Sequence, residues 1–305
     1  MYEYGNQKIY NQIFQRIKEI DRSMSAKPGI LQNTDSNLMQ INQNAGIAPV
    51  KIEPDLLKVL ERAEYFAEIS NGAFDPTIGS LVNLWGIGTE NQRIPETHEI
   101  AQALSLVNWK DLIVDQNAET AFLQKPGMAL DLGAIAKGYA ADEAARICRE
   151  ANIPRAIIDL GGNIIALGSR DNKNNPWRIG IQDPLKERGS YIGVIQLIDK
   201  TAVTSGVYER FFEKDEKKYH HILSTENGCP VDNGILSVTI ISENSMDADG
   251  LSTSVFVLGF EKGLALLKKF HGAEAIFIFN DHHVFVTDGI KNLFRLTSDK
   301  YTLID

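Results

Sequence analysis

The stretch Arg155-Ala156-Ile157-Ile158-Asp159-Leu160-Gly161-Gly162-Asn163-Ile164-Ile165-Ala166-Leu167-Gly168 decides the fold class. Two short aliphatic runs flank a Gly-Gly pair, the pattern of two strands joined at a tight corner. The same pair reads equally as a place where backbone closely approaches a ligand. Further strand runs fall at 177–181, 191–198, 201–204, 219–223, 235–241, 275–279 and 283–287. Helices are expected near 247–258 and 261–270. Upstream the period is helical, over 7–22, from Pro54 to about Ile69, over 97–106, and from about Ala134 to Ala151. Residues 24–50 read as loop with short helical pieces, 112–115 and 121–124 as strands, and Ala129-Leu130-Asp131 as a strand end. Strands that come in runs, not in alternation with helices, predict an α+β fold with mostly antiparallel sheet.

The chain has 305 residues, enough for one large two-lobed domain or two smaller ones. Lys and Arg number 31 against 40 Asp and Glu, a net charge of −9. That balance argues against binding nucleic acid or anionic lipid. A polyphosphate ligand would therefore need a cation beside it. Cys148 and Cys229 form no CxxC or Cys/His cluster, so zinc is not expected. No apolar run approaches the ~18 residues of a membrane span. The first residues show no signal peptide. Tyr2 to Gly5 read as the end of a strand running into a turn, and a native start further upstream, carrying a signal or lipid anchor, is expected.

Several motifs carry chemistry. In Asp131-Leu132-Gly133-Ala134-Ile135-Ala136-Lys137-Gly138 an acidic residue precedes a glycine turn and a helix start, whose open amides can hold an anion. Lys137 in a first helical turn is mildly unfavourable unless an anionic ligand is bound there. In Asp247-Ala248-Asp249-Gly250-Leu251-Ser252-Thr253 a helix would put Asp249 and Thr253 on one face, an oxygen pair suited to Mg²⁺. Helix capping by Asp247 or Asp249 explains the same acids without a metal. In Tyr219-His220-His221-Ile222-Leu223, a strand would turn the two histidines to opposite faces, leaving one of them available as a general base. His282-His283 is expected in a solvated turn. Thr204-Ser205-Gly206-Val207-Tyr208 and Gly72-Ala73-Phe74-Asp75-Pro76-Thr77 offer close backbone approach, an aromatic face and a carboxylate.

In order along the chain, NGAFDPTIGSLVNLWGIG, LDLGAIAKGYAAD, IDLGGNIIALG, TSGVYERFF, HHIL and DADGLSTSVFVLG resemble the ApbE family of flavin transferases from about residue 13 to residue 290. Among its members the chain most resembles the Gram-positive surface flavin transferases. The resemblance implies a single two-lobed domain spanning 1–305, with mostly antiparallel sheets packed with helices. It implies Mg²⁺ held by the Ala134 carbonyl, Asp249 and Thr253. It implies FAD contacts at Met24, Ala73, Phe74, Asp75, Asp131, Lys137, His221 and Ile222. The implied reaction moves FMN from FAD to a threonine hydroxyl of an acceptor protein and releases AMP, with His221 as base and Asp249 sharing that role. The setting it implies is an extracytoplasmic lipoprotein at the cell membrane, serving electron transfer. A Mg²⁺-dependent FAD pyrophosphatase and a non-enzymatic flavin-binding protein are the competing readings. Two departures stand out. His221-Ile222-Leu223-Ser224-Thr225-Glu226-Asn227-Gly228 lacks the family's Asp-Pro in this turn, and the family's first strand is absent before Tyr2.

Overall fold

The computed structural model describes residues 7–26 and 36–305. In chain order its elements are α1 (Gln7–Met24), α2 (Asn37–Gln43), β1 (Val50–Lys51), α3 (Pro54–Ile69), α4 (Gly79–Trp85), α5 (Thr97–Leu104), β2 (Leu112–Asp115), β3 (Thr120–Leu123), α6 (Ala136–Glu150), β4 (Ala156–Leu160), β5 (Asn163–Leu167), β6 (Trp177–Gln182), β7 (Tyr191–Leu197), β8 (Lys200–Gly206), β9 (Phe211–Lys214), β10 (Lys217–His220), β11 (Ile235–Ser242), α7 (Ser245–Leu258), α8 (Phe260–Lys269), β12 (Glu274–Phe279), β13 (His283–Val286), β14 (Phe294–Leu296) and β15 (Thr302–Ile304). The mixture of helices with antiparallel sheet is the expected α+β class. The reading of Tyr2–Gly5 as a strand end lies outside the described residues.

The chain divides into two compact units. A sheet-rich unit comprises Met1–Ile17, Lys137–Glu209 and Asp232–Asp305, and a helix-rich unit comprises Lys18–Ala136 and Arg210–Val231.

The sheet-rich unit is built on a seven-stranded sheet of order β15-β13-β12-β11-β8-β5-β4. All its neighbours are antiparallel except β13 with β15. The Gly-Gly corner is the hairpin turn between β4 and β5, with Leu160 facing Asn163. Gly161 and Gly162 have φ of 63° and 102°, the left-handed pair that a tight hairpin requires and a side chain resists. One apolar core holds Ile181, Ile195 and Leu197 of the small β14-β7-β6 sheet with Ile241, Ile276 and Ile278 of the large one. The two sheets therefore pack face to face. On α6, Ala141 and Ala145 pack on Ile165 of β5, where small side chains let the helix lie close.

In the helix-rich unit, Pro54 opens α3 with its fixed φ, and Leu56, Val59, Leu60, Ala63 and Phe66 bury one stripe. Each large side chain among them contributes about 1.5–3 kcal/mol by leaving water. Leu81, Trp85 and Leu223 form a second core, against which Phe212 and Tyr219 of the β9-β10 hairpin pack. Trp85 Nε1 donates to the Gly228 carbonyl at 2.8 Å, tying α4 to the loop after the hairpin.

Some expectations are corrected. Ala129 makes one isolated bridge to Ile78, so Ala129-Leu130-Asp131 is extended chain and not a strand end in a ladder. Strand β10 ends at His220, although the His221 amide still bonds to the Arg210 carbonyl in the register of the hairpin. The cap of α7 is Asn244, whose Oδ1 accepts from the Asp247 amide, and neither Asp247 nor Asp249 caps the helix. His283 opens β13 and its Nδ1 pairs with Asp281 Oδ2 at 2.9 Å, with His282 alone left in the turn.

Candidate active site

In the helix-rich unit two motif loops are stitched to each other. Asn42 grips Leu130, with Oδ1 accepting from its amide at 2.7 Å and Nδ2 donating to its carbonyl at 3.1 Å. The Asp131 amide donates to the Pro76 carbonyl at 2.9 Å, and the Gly79 amide to the Ala129 carbonyl at 3.0 Å. Asp131 thus lies directly beside the loop that carries Ala73, Phe74 and Asp75. Phe74 is buried against Phe66. Asp75 is buried as well, and its carboxylate is spent on the protein. Its Oδ1 accepts from the Thr77 amide and hydroxyl at 2.8 and 2.7 Å, and its Oδ2 from the Trp109 amide at 2.9 Å. Burial pushes its carboxyl above the ordinary range, and these three bonds pull against that rise.

Past Asp131 the chain makes the glycine turn. Asp131 Oδ1 accepts from the Gly133 amide at 2.8 Å, and the Ile135 and Ala136 amides both return to the Leu132 carbonyl. Regular helix begins at Ala136, two residues later than the spacing suggested, so Ala134 lies in the turn and not in the helix. The Arg210 guanidinium stands over this turn, 3.9 Å from where a Cβ on Gly133 would be. The Arg210 carbonyl accepts from the His221 amide at 3.1 Å and from His221 Nδ1 at 3.2 Å. A carbonyl only accepts, so Nδ1 holds the proton of the neutral ring and Nε2 carries its lone pair. Arg210 was missed in the motif reading, although it stands inside TSGVYERFF. Met24 closes α1 as a buried residue, and Ile222 is buried beside its bond to the Val231 amide. His220 is buried, with Nε2 bonded to the Val231 carbonyl at 2.8 Å, which makes it structural.

The sheet-rich unit holds the other group. Asp249, 2% exposed, sits in the first half of α7. Its Oδ2 accepts from the Gly138 amide at 2.9 Å, and its Oδ1 lies 3.5 Å from Lys137 Nζ. Lys137 Nζ also donates to Asn163 Oδ1 at 2.9 Å. Asn163 is wholly buried, and its Nδ2 has no hydrogen-bond partner among the described residues. The lysine is thus aimed from the start of α6 by a strand residue and faces the carboxylate. Thr253, one turn beyond Asp249 on α7, carries its hydroxyl 3.2 Å from Ser205 Oγ. Asp142, further along α6, accepts from the Ser245 and Met246 amides at 2.9 Å each and so holds the first turn of α7. Burial pushes this carboxyl up to about 6, in spite of those two bonds.

Ala73, Phe74, Asp75, Asp131, Ala134, His221 and Ile222 therefore belong to one unit, and Lys137, Asp249 and Thr253 to the other. Among the described residues, no group of three or more His, Cys, Asp or Glu converges as a metal cluster. The oxygen set of Asp249 and Thr253 instead fits a hard ion that draws its remaining ligands from carbonyl, water or phosphate oxygens.

A lysine aimed at a buried carboxylate, with a hydroxyl one turn beyond it, is an arrangement suited to proteins that handle phosphate esters. The family model of the ApbE family matches residues 2–277, and the chain belongs to that family. It is 40% identical over 281 residues to an FAD:protein FMN transferase of Treponema pallidum, covering 88% of this chain and 78% of that one. It is 35% identical over 300 residues to an FAD:protein FMN transferase of Klebsiella pneumoniae, covering 98% and 91%. Among solved structures it resembles the ApbE protein of Thermotoga maritima, with a TM-score of 0.86 and 32% identity over 97% of this chain and 94% of that one. It also resembles the flavin transferase ApbE of Vibrio cholerae, with a TM-score of 0.79 and 28% identity over 99% and 92%.

Proposed function

We propose that this enzyme, an FAD:protein FMN transferase, moves FMN from FAD onto a threonine hydroxyl of an acceptor protein in a Mg²⁺-dependent reaction that releases AMP. The transferase activity is supported by the family and by relatives of that name at 31–40% identity. The observation that carries the finer reading is Asp249. This buried carboxylate has one oxygen fixed by a backbone amide, and a hydroxyl stands one turn beyond it on the same helix face. Asp249, Thr253 and the Ala134 carbonyl would hold Mg²⁺. When bound, that ion would neutralise pyrophosphate charge and stabilise the leaving phosphate.

In the reaction the threonine oxygen forms a bond to the FMN-side phosphorus, and the bond from that phosphorus to the bridging oxygen breaks. The bridging oxygen leaves with its electron pair on AMP. His221 Nε2 takes the threonine proton, while the Arg210 carbonyl holds the ring by Nδ1. Lys137 supplies positive charge to the phosphates, aimed by Asn163. Asp131, at the head of the glycine turn, adds a further FAD contact. Met24, Ala73, Phe74, Asp75 and Ile222 complete the FAD contacts. We further place the enzyme outside the cytoplasmic membrane on a lipid anchor, beside a flavin-carrying electron-transfer acceptor. Fractionation of cells expressing the native gene tests that placement.

Incubating the protein with FAD, Mg²⁺ and a threonine-bearing acceptor and then weighing the acceptor tests the chemistry. The reading expects an added FMN mass, stoichiometric AMP, and loss of both with EDTA. Free FMN with an unmodified acceptor would make the enzyme a pyrophosphatase, and FAD binding with no AMP would make it a flavin-binding protein.

A further inference from the structure

Three hydroxyls and one carbonyl form a chain inside the sheet-rich unit, and its proton directions follow by elimination. Ser252 Oγ donates to the Asp249 carbonyl at 2.9 Å, which uses its one proton. Ser205 Oγ lies 2.8 Å from Ser252 Oγ, and with Ser252 committed, Ser205 must be the donor. Ser205 has then used its own proton. At 3.2 Å from Thr253 Oγ1 it can only accept. The Thr253 proton therefore points at Ser205, and the Thr253 lone pairs point away from it.

This arrangement is unusual for a helical threonine. Such a hydroxyl ordinarily gives its proton to a carbonyl three or four residues back. Four back from Thr253 is Asp249, and that carbonyl receives Ser252 instead. Ser252 is fully buried, which shields its end of the chain from competing water. Ser205 lies on β8, paired to Val238 of the central strand β11, so its position is fixed by the sheet and not by α7.

We propose that Ser205 is a positioning residue that fixes the Thr253 hydroxyl as an electron-pair donor to a bound divalent cation. The inference rests on the Mg²⁺ reading of Asp249 and Thr253. A hydroxyl that ligates a cation must place its proton elsewhere, and Ser205 is the acceptor the fold supplies. Ser205 itself touches neither FAD nor the reacting atoms in this account. Losses of about 10–100-fold in metal affinity are typical when a residue that orients a ligand is removed.

Mg²⁺ alone, titrated calorimetrically into FAD-free protein, tests the proposal. Wild type should bind, Ser205→Ala should bind about 10–100-fold more weakly, and Ser205→Thr, which keeps the acceptor oxygen, should recover affinity. If Ser205 acts through Thr253, adding Ser205→Ala to Thr253→Ala should cost no further affinity. Unfolding curves without metal establish that each variant is folded, and a misfolded Ser205→Ala leaves Ser205→Cys, with its weak acceptor, to take its place in the same titration. Wild-type affinity in the serine-lacking variant, or full additivity in the double variant, overturns the inference and leaves the metal reading standing. A wild type that binds no Mg²⁺ overturns both.

Discussion

The Gly138 amide donates to Asp249 Oδ2 at 2.9 Å, at the point where the start of α6 touches the first turn of α7. The contact needs a residue without a side chain. A Cβ on Gly138 would overlap the Ser245 carbonyl oxygen and stand 2.7 Å from Met246 Cα, both backbone atoms that cannot swing away. The glycine therefore sets how close the lysine-bearing and aspartate-bearing helices lie.

Gly138→Ala should accordingly cost about 1–3 kcal/mol, the usual range for overfilling a packed contact. Urea unfolding measures it. Because the shift displaces Asp249, transfer activity at limiting Mg²⁺ should fall more than activity at saturating Mg²⁺. A variant with unchanged stability and unchanged Mg²⁺ dependence would sink this account.

Asp142 makes stability depend on pH. Its carboxyl rises from the ordinary 3.8 to about 6 in the folded protein, chiefly through burial. Between those values the folded state holds a proton that the unfolded chain has lost, so wild-type stability should fall as pH rises from 3.8 to about 6. The full change is at most about 3 kcal/mol, less what water at its partly exposed edge returns. Asp142→Asn removes the titration. Chemical denaturation across the window should show the wild-type curve sloping down relative to the variant, and parallel curves would refute the assignment.

Lys137 opposes the metal that the site is proposed to hold. Its Nζ lies 3.5 Å from the Asp249 oxygen that would take the cation. Lys137→Met should tighten Mg²⁺ binding by about two- to fivefold, the scale of a partly exposed ion pair. The same change should weaken FAD binding, because a charge facing the phosphates is gone. Calorimetry reads both signs, and weaker Mg²⁺ binding in the variant would contradict the arrangement.

His221→Asn should lower the rate of FMN transfer by about 10²–10⁴, the usual worth of a general base. Single-turnover mass spectrometry of the acceptor follows the rate, and FAD titration separates binding from chemistry. A variant that transfers FMN within a few-fold of wild type would remove His221 from the proton's path.

Much of this architecture was legible in the sequence because local physics and tertiary structure agree there. The hairpin at Gly161-Gly162 and the helix from Pro54 to Ile69 carry their own turn and capping chemistry, and both stand where the periodicity put them. Strands β1, β9, β14 and β15 were not read, since they run for only two to four residues, and β1 and β14 pair with strands far away in the chain. The residues of the Lys137–Asp249 cluster were named from motif order, but its wiring was not. Asn163, Ser205 and Asp142 act through contacts 26 to 104 positions apart along the chain, and no spacing rule reports those. Arg210 escaped for a different reason. Its role depends on a glycine turn 77 residues earlier, against which the guanidinium lies.

The chain passes between its two units after Ile17, Ala136, Glu209 and Val231. On the ribosome, residues 18–136 emerge before Phe212, Tyr219 and Leu223, which complete the core around Trp85. At about 5–20 residues per second the wait for Val231 lasts roughly 5–20 s. The seven-stranded sheet is left open still longer, because β15 supplies its last strand at Thr302–Ile304. Neither unit can thus mature on a partial chain, and a truncated product would present unfilled apolar surface to the cell's chaperones and proteases.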